Sequence, residues 1–146
     1  PQEAFIQHFY KDGFLETGPL GSLFYKKVFI EIGCFSSRRM TSDIDYFLRV
    51  ANNGPIVRLP SRLGFWRRHS NQESNTGFEY YLLDTLIIYR KLFSDKKFPL
   101  SNIKYLLILK LYFKKIRDLI YIIYKTRDLG YCKYFGKILL NNEFIG

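Results

Sequence analysis

The sequence has little of what builds small secreted or metal-centred domains. Only two cysteines, Cys34 and Cys132, and two histidines occur in 146 residues. The cysteines lie far apart with no CxxC, which excludes a disulfide scaffold and weighs against a structural zinc site; reduced thiols in a reducing compartment are expected. Acidic side chains are also scarce, 13 against 23 basic ones, for a formal net charge of +10. The opening residues PQEAFIQHFY carry no basic stretch followed by an apolar run, so they do not read as a signal peptide. No internal repeat and no low-complexity tract is present. The first residue is Pro1 rather than Met, and the reading frame is expected to extend upstream.

Apolar and aromatic side chains, by contrast, are plentiful. Hydrophobic residues make up 47% and aromatics 18%, with 12 Tyr and 14 Phe. That much apolar surface can offset the entropy of ordering, which excludes a disordered chain. The length suffices for one core. It is short for a nucleotide-binding α/β enzyme, which needs several βαβ units of roughly 30 residues each. The charge is uneven: residues 1–75 carry 10 basic and 7 acidic side chains (+3), and residues 76–146 carry 13 and 6 (+7). Two regions with different jobs are expected, residues 1–77 and a basic helical tail over 78–146.

Along the chain, a short helical pattern surrounds Phe5 and Phe9 and stops at Lys11-Asp12-Gly13. Gly18-Pro19-Leu20-Gly21 reads as a turn and Ser22–Tyr25 as a short strand. Val28, Phe29 and Ile32 mark a helical turn that Gly33 ends. The best-specified helix begins at Ser42. Ser42 is placed to cap it, with Asp45 three residues on in a capping-box arrangement. Ile44, Phe47, Leu48 and Ala51 recur at i, i+3, i+4 and i+7, Asp45 and Arg49 stand as an i, i+4 pair, and Asn53-Gly54-Pro55 closes the element. Ile56–Pro60 and Leu63–Arg67 read as strands, followed by a polar loop. Residues 78–93, 102–126 and 131–141 are predicted helices.

A membrane span needs about 20 predominantly apolar residues. Over 102–126, Lys104, Lys110, Lys114, Lys115, Arg117, Asp118 and Lys125 interrupt the run. At 100° per residue they fall within an arc of about 160°, the mark of an amphipathic helix with a basic stripe. The segment therefore does not span.

An ordered series of motifs runs from Gly18 to Ser74. Gly21-Ser22-Leu23-Phe24-Tyr25-Lys26-Lys27 leads into VFIEIGCF (28–35), then SDIDYFLR (42–49), then Gly54 and Ile56–Pro60, and finally Trp66-Arg67-Arg68-His69-Ser70-Asn71-Gln72-Glu73-Ser74. The series resembles the second half of the catalytic domain of family 2 glycosyltransferases, the inverting GT-A enzymes. The fold this implies is α+β and helix-dominant, the C-terminal part of a GT-A α/β fold followed by a helical tail. The implied function is transfer of a sugar from a nucleotide-diphosphate donor to a hydroxyl acceptor with inversion, in cell-surface polysaccharide or glycolipid synthesis. By that resemblance Asp43 is the general base, His69 and Arg67 lie near the donor diphosphate and metal, and Gly21, Ser22 and Ser42 lie on the acceptor side. Mg²⁺ or Mn²⁺ is expected in the complete enzyme, held mainly by a D-x-D of the first half. This chain has no such D-x-D after a strand; Asp43-Ile44-Asp45 has the spacing but matches the acceptor block. The chain alone is expected to be inactive, because the donor half is missing. Ser42 stands where the family has an acidic residue.

The residues themselves are compatible with this chemistry. A carboxylate in a helix's first turn is held in place with its charge favoured by the amide dipoles, and can take a proton from a hydroxyl. Asp43 and Asp45 lie about 160° apart on the helix, so they cannot share one task. Asp45 has Arg49 as its natural partner, leaving Asp43. The simpler reading is that both acids only complement the helix N-terminus; the surrounding motif favours the catalytic one. Arg67, Arg68 and His69 offer donors for a diphosphate leaving group, or form a solvated loop above Trp66. His8 has no partner pattern and receives no role.

The expected partners are the nucleotide sugar and a sugar or lipid-linked acceptor, with an anionic membrane surface met by the 102–126 helix. The expected location is cytoplasmic, or peripheral on the inner membrane face. Strands cut from their sheet leave open edges, so a homodimer of the chain is also expected. The competing reading is a basic helical module that binds nucleic acid or membrane without catalysis. No helix-turn-helix, zinc-finger or RNP pattern supports the nucleic-acid form, and nucleic acid is not expected as a partner.

Overall fold

The computed structural model describes residues 1–16, 18–19, 22–57 and 78–139. Two compact units divide between Ser101 and Asn102. The first contains α1 (Gln2–Gln7) running into a π turn (His8–Asp12), α2 (Lys26–Glu31), α3 (Ser42–Asn53) and α4 (Phe78–Ser94). The second contains α5 (Lys104–Thr126), a 3₁₀ turn (Leu129–Tyr131) and α6 (Cys132–Leu139).

The α+β, GT-A expectation is overturned: the described residues are helical and contain no strand. The reason is visible at Ser22–Tyr25 and Ile56-Val57. Leu23 is 98% exposed and Val57 83% exposed, and among the described residues neither run meets a second extended segment with which to form a ladder. β-branched and aromatic residues favour strands only where a neighbouring strand and a covering layer receive them. Phe24 instead turns inward onto α3. The remainder of the two expected strands after Val57, through Arg67, lies outside the described residues. The open strand edges that motivated a homodimer are therefore not found among the described residues.

α3 is amphipathic, and its apolar positions Ile44, Phe47, Leu48 and Ala51 are buried. Against it stands one aromatic cluster, in which Phe24, Phe29 and Phe35 surround Tyr46 with ring centroids 5.0–5.2 Å away. A second cluster ties the chain's start to α4, through Phe5, Phe9, Tyr89, Phe93 and Phe98. Such pairs add to the area they bury, and Phe5, Phe14, Tyr46, Phe47, Tyr89, Phe93 and Phe98 are buried in this unit.

The start of α3 departs from the expected capping box. Thr41, not Ser42, occupies the N-cap, and no side chain caps the helix. The Thr41 hydroxyl donates to Asp84 Oδ2 of α4 at 3.4 Å instead, and Asp45 is taken by Arg49. Tertiary partners have displaced the local ones.

Candidate functional site

Asp43 stands in the first turn of α3, half-buried. Its Oδ1 accepts from the Ile44 amide at 2.8 Å, a bond that aims the carboxylate and favours its charge. No cation pairs with it among the described residues. A Cβ placed on Gly18 would lie 3.8 Å from Asp43 Oδ2. The Gly18-Pro19 turn therefore approaches the carboxylate closely, and the Ser22 amide donates to the Pro19 carbonyl at 3.1 Å. Gly18 thus borders the carboxylate at the start of α3. Ser42 is half-buried, and Ser22 likewise.

Asp45 faces the other way and is buried. Arg49 donates to it from Nε at 3.2 Å and from Nη2 at 3.1 Å. The same guanidinium donates to the Cys34 carbonyl at 2.6 Å and to the Ile32 carbonyl. Those carbonyls flank a left-handed stretch, Gly33 at φ 92° and Cys34 at φ 53°, in which the Cys34 amide closes onto the Phe29 carbonyl at 2.9 Å. One planar fork thereby locks the end of α2 to α3, a task suited to arginine's fixed donor geometry. Tyr46 lies beneath, the Arg49 guanidinium 5.6 Å from its ring centroid. Burial raises the Tyr46 phenol above its ordinary value, with Arg49 opposing and Cys34 adding to the rise.

On the Asp45 side of α3 lies a cleft of about 560 Å³. The loop Ser36–Arg39 forms one wall and Asp84, Ile87 and Lys91 of α4 another. Arg38 pairs with Asp84 at 3.0 Å. The Ser36 hydroxyl is buried there without a hydrogen-bond partner. Nothing in the local pattern of Ser-Ser-Arg-Arg reveals this wall, because Asp84 is 46 positions from Arg38.

Sequence reasoning also missed His8. The Leu15 amide donates to His8 Nδ1 at 3.2 Å. An amide only donates, so Nδ1 accepts and Nε2 carries the proton. Nε2 then donates to Tyr89 Oη at 2.5 Å, and Tyr89 donates to Glu16 Oε1 at 3.0 Å. Burial first, and the Glu16 charge and hydrogen bond second, push the Tyr89 phenol well above its ordinary value. This relay, with His8 and Tyr89 buried and Glu16 half-buried, joins the start of the chain to α4.

Gly21, Arg67 and His69 lie outside the described residues. Among the described residues no group of three or more His, Cys, Asp or Glu side chains could hold a metal ion, and Asp45 is committed to Arg49. The described residues do not fit a Mg²⁺ or Mn²⁺ centre. No helix of the described residues is long and apolar enough to cross a membrane. The chain matches no family model, no curated protein and no solved structure.

Proposed function

We propose that the chain carries the acceptor side of an inverting sugar-transfer site, with Asp43 as the general base. The Asp43 carboxylate takes the proton of the acceptor hydroxyl as that oxygen bonds to the sugar's anomeric carbon. The bond to the nucleoside diphosphate breaks from the opposite face, and the diphosphate leaves with the electron pair. The observation that carries this reading is the contrast between two carboxylates on one helix. Asp45 is buried and held by Arg49, while Asp43 is half-buried, held among the described residues by the neighbouring Ile44 amide, and bordered by the small Gly18. A base needs a fixed carboxylate with an open approach, and only Asp43 has both.

Arg49 supports the same reading from beneath. By joining the 32–34 turn and Asp45 to one guanidinium it anchors the helix that presents Asp43, and a fixed support is what holds a reacting group in register. The test is Asp43→Asn in the chain expressed with whatever coding sequence flanks Pro1 and Gly146. Sugar transfer from a nucleotide-sugar panel is expected to fall on the order of 10² to 10⁴-fold, the usual contribution of a general base, with nucleotide-sugar affinity kept. Turnover retained by the variant removes Asp43 from this role.

A further inference from the structure

α5 exposes the side that its sequence marks as apolar. Leu107, Leu111, Lys115 and Leu119 form its buried stripe. On the helical projection this stripe lies roughly opposite a second row, Tyr105, Leu106, Leu109, Phe113, Ile120 and Tyr124, which spans an arc of about 100°. Each of these six is between 54% and 71% exposed. From Tyr105 to Tyr124 the row runs about 28 Å at 1.5 Å per residue. Scattered apolar residues on a surface are ordinary, but a continuous row of this length marks an interaction face.

Charge identifies the occupant. Arg117 and Lys110 project about 20° and 40° beyond one edge of the row; both are exposed. Over its whole length α5 carries six cations and a single acid, Asp118. Tyr105 and Tyr124 are of the kind that settle at a lipid headgroup boundary. A second copy of the chain would bring two bodies of formal charge +10 together, which repel. An anionic bilayer is attracted by the same charges and receives the apolar row.

We infer that α5 lies in the surface of an anionic membrane, with Leu106, Leu109 and Phe113 inserted below the headgroups and Arg117 and Lys110 on the lipid phosphates. The inference is independent of the role of Asp43. Its test is cosedimentation of the full chain with vesicles of equal parts phosphatidylglycerol and phosphatidylcholine, against vesicles of phosphatidylcholine alone. Binding to the anionic vesicles is expected to exceed that to the neutral ones by at least about tenfold and to weaken as sodium chloride is raised. The double variant Leu109→Ser, Phe113→Ser is expected to lose at least about tenfold in binding, with its helical circular dichroism unchanged because both side chains are exposed. Arg117→Gln with Lys110→Gln is expected to erase most of the preference for the anionic vesicles. The inference is overturned by a folded chain that does not sediment with anionic vesicles. It is equally overturned if the serine variant binds like the parent, or if the chain ignores vesicles while dimerising or binding an oligonucleotide.

Discussion

The Arg49 guanidinium donates to the Cys34 carbonyl 2.6 Å away while holding Asp45 at 3.1 Å. One side chain thereby ties the end of α2 to the helix that presents Asp43. Removing it leaves the Asp45 carboxylate without its cation and two carbonyls without a donor. Arg49→Ala is expected to cost about 2 to 3 kcal/mol, the scale of lost hydrogen bonds to a charged group. Arg49→Lys recovers only part of this, because an ammonium cannot span three acceptors as a planar fork does. Urea unfolding of both variants measures the difference; equal stability of Arg49→Ala and the parent removes the clamp.

Gly33 has a backbone requirement that its neighbour Gly54 does not share. Its φ of 92° is one that L side chains rarely adopt, whereas Gly54, at φ −166°, is extended and has open space around a Cβ. Gly33→Ala is expected to destabilise by about 1 to 3 kcal/mol. Gly54→Ala is expected to leave stability unchanged or raise it by about 0.5 kcal/mol, through the unfolded chain. Thermal unfolding of the pair checks the contrast.

Gly18 separates the proposed role of Asp43 from its part in the fold. The approach of 3.8 Å leaves room for a methyl group, so Gly18→Ala is expected to be mild. Gly18→Leu extends a side chain over the carboxylate and is expected to lower kcat/KM for sugar transfer by at least about tenfold with the melting temperature retained. Full activity in the leucine variant shows that the acceptor does not approach Asp43 from this side.

Tyr89 predicts the alkaline limit of stability. Its phenol is raised in the folded protein by burial and by Glu16, so the folded state keeps its proton after the unfolded chain has lost it near pH 10. This contribution is fully present below pH 10 and is lost as the pH climbs from there toward the raised folded value. Tyr89→Phe is expected to flatten that decline. At neutral pH it is expected to cost about 1 to 2 kcal/mol, because His8 and Glu16 each lose a partner. Urea unfolding between pH 8 and about pH 11 reads both effects.

The helices of the first unit were legible where apolar residues recur at helical spacing. α3 runs over Ser42–Asn53 as Ile44, Phe47, Leu48 and Ala51 predict, and Gly33 stops α2 as expected. The Asp45–Arg49 pair was readable too, because i, i+4 neighbours meet on any helix. The strand expectations failed at Leu23 and Val57, where composition stood in for a partner strand that the fold does not supply. The capping role given to Ser42 failed because Asp84, distant in sequence, engages Thr41. His8 was silent for the same reason: its partner Tyr89 is 81 positions away.

What the sequence determined by itself is local: where helices run, where glycine ends them, which acid has an arginine one turn on, and how uneven the charge is. These follow from periodicity and from contacts within a turn or two. Only the tertiary structure decided that the described part of the first unit contains helices and no strand, that Arg49 reaches back to Cys34 and Ile32, and that Gly18 borders Asp43. It also decided which side of α5 is buried. The sequence shows one broad apolar arc on that helix, and periodicity cannot say whether protein or solvent lies over it. Burial is a property of neighbours, and neighbours far apart in the chain are set by the fold.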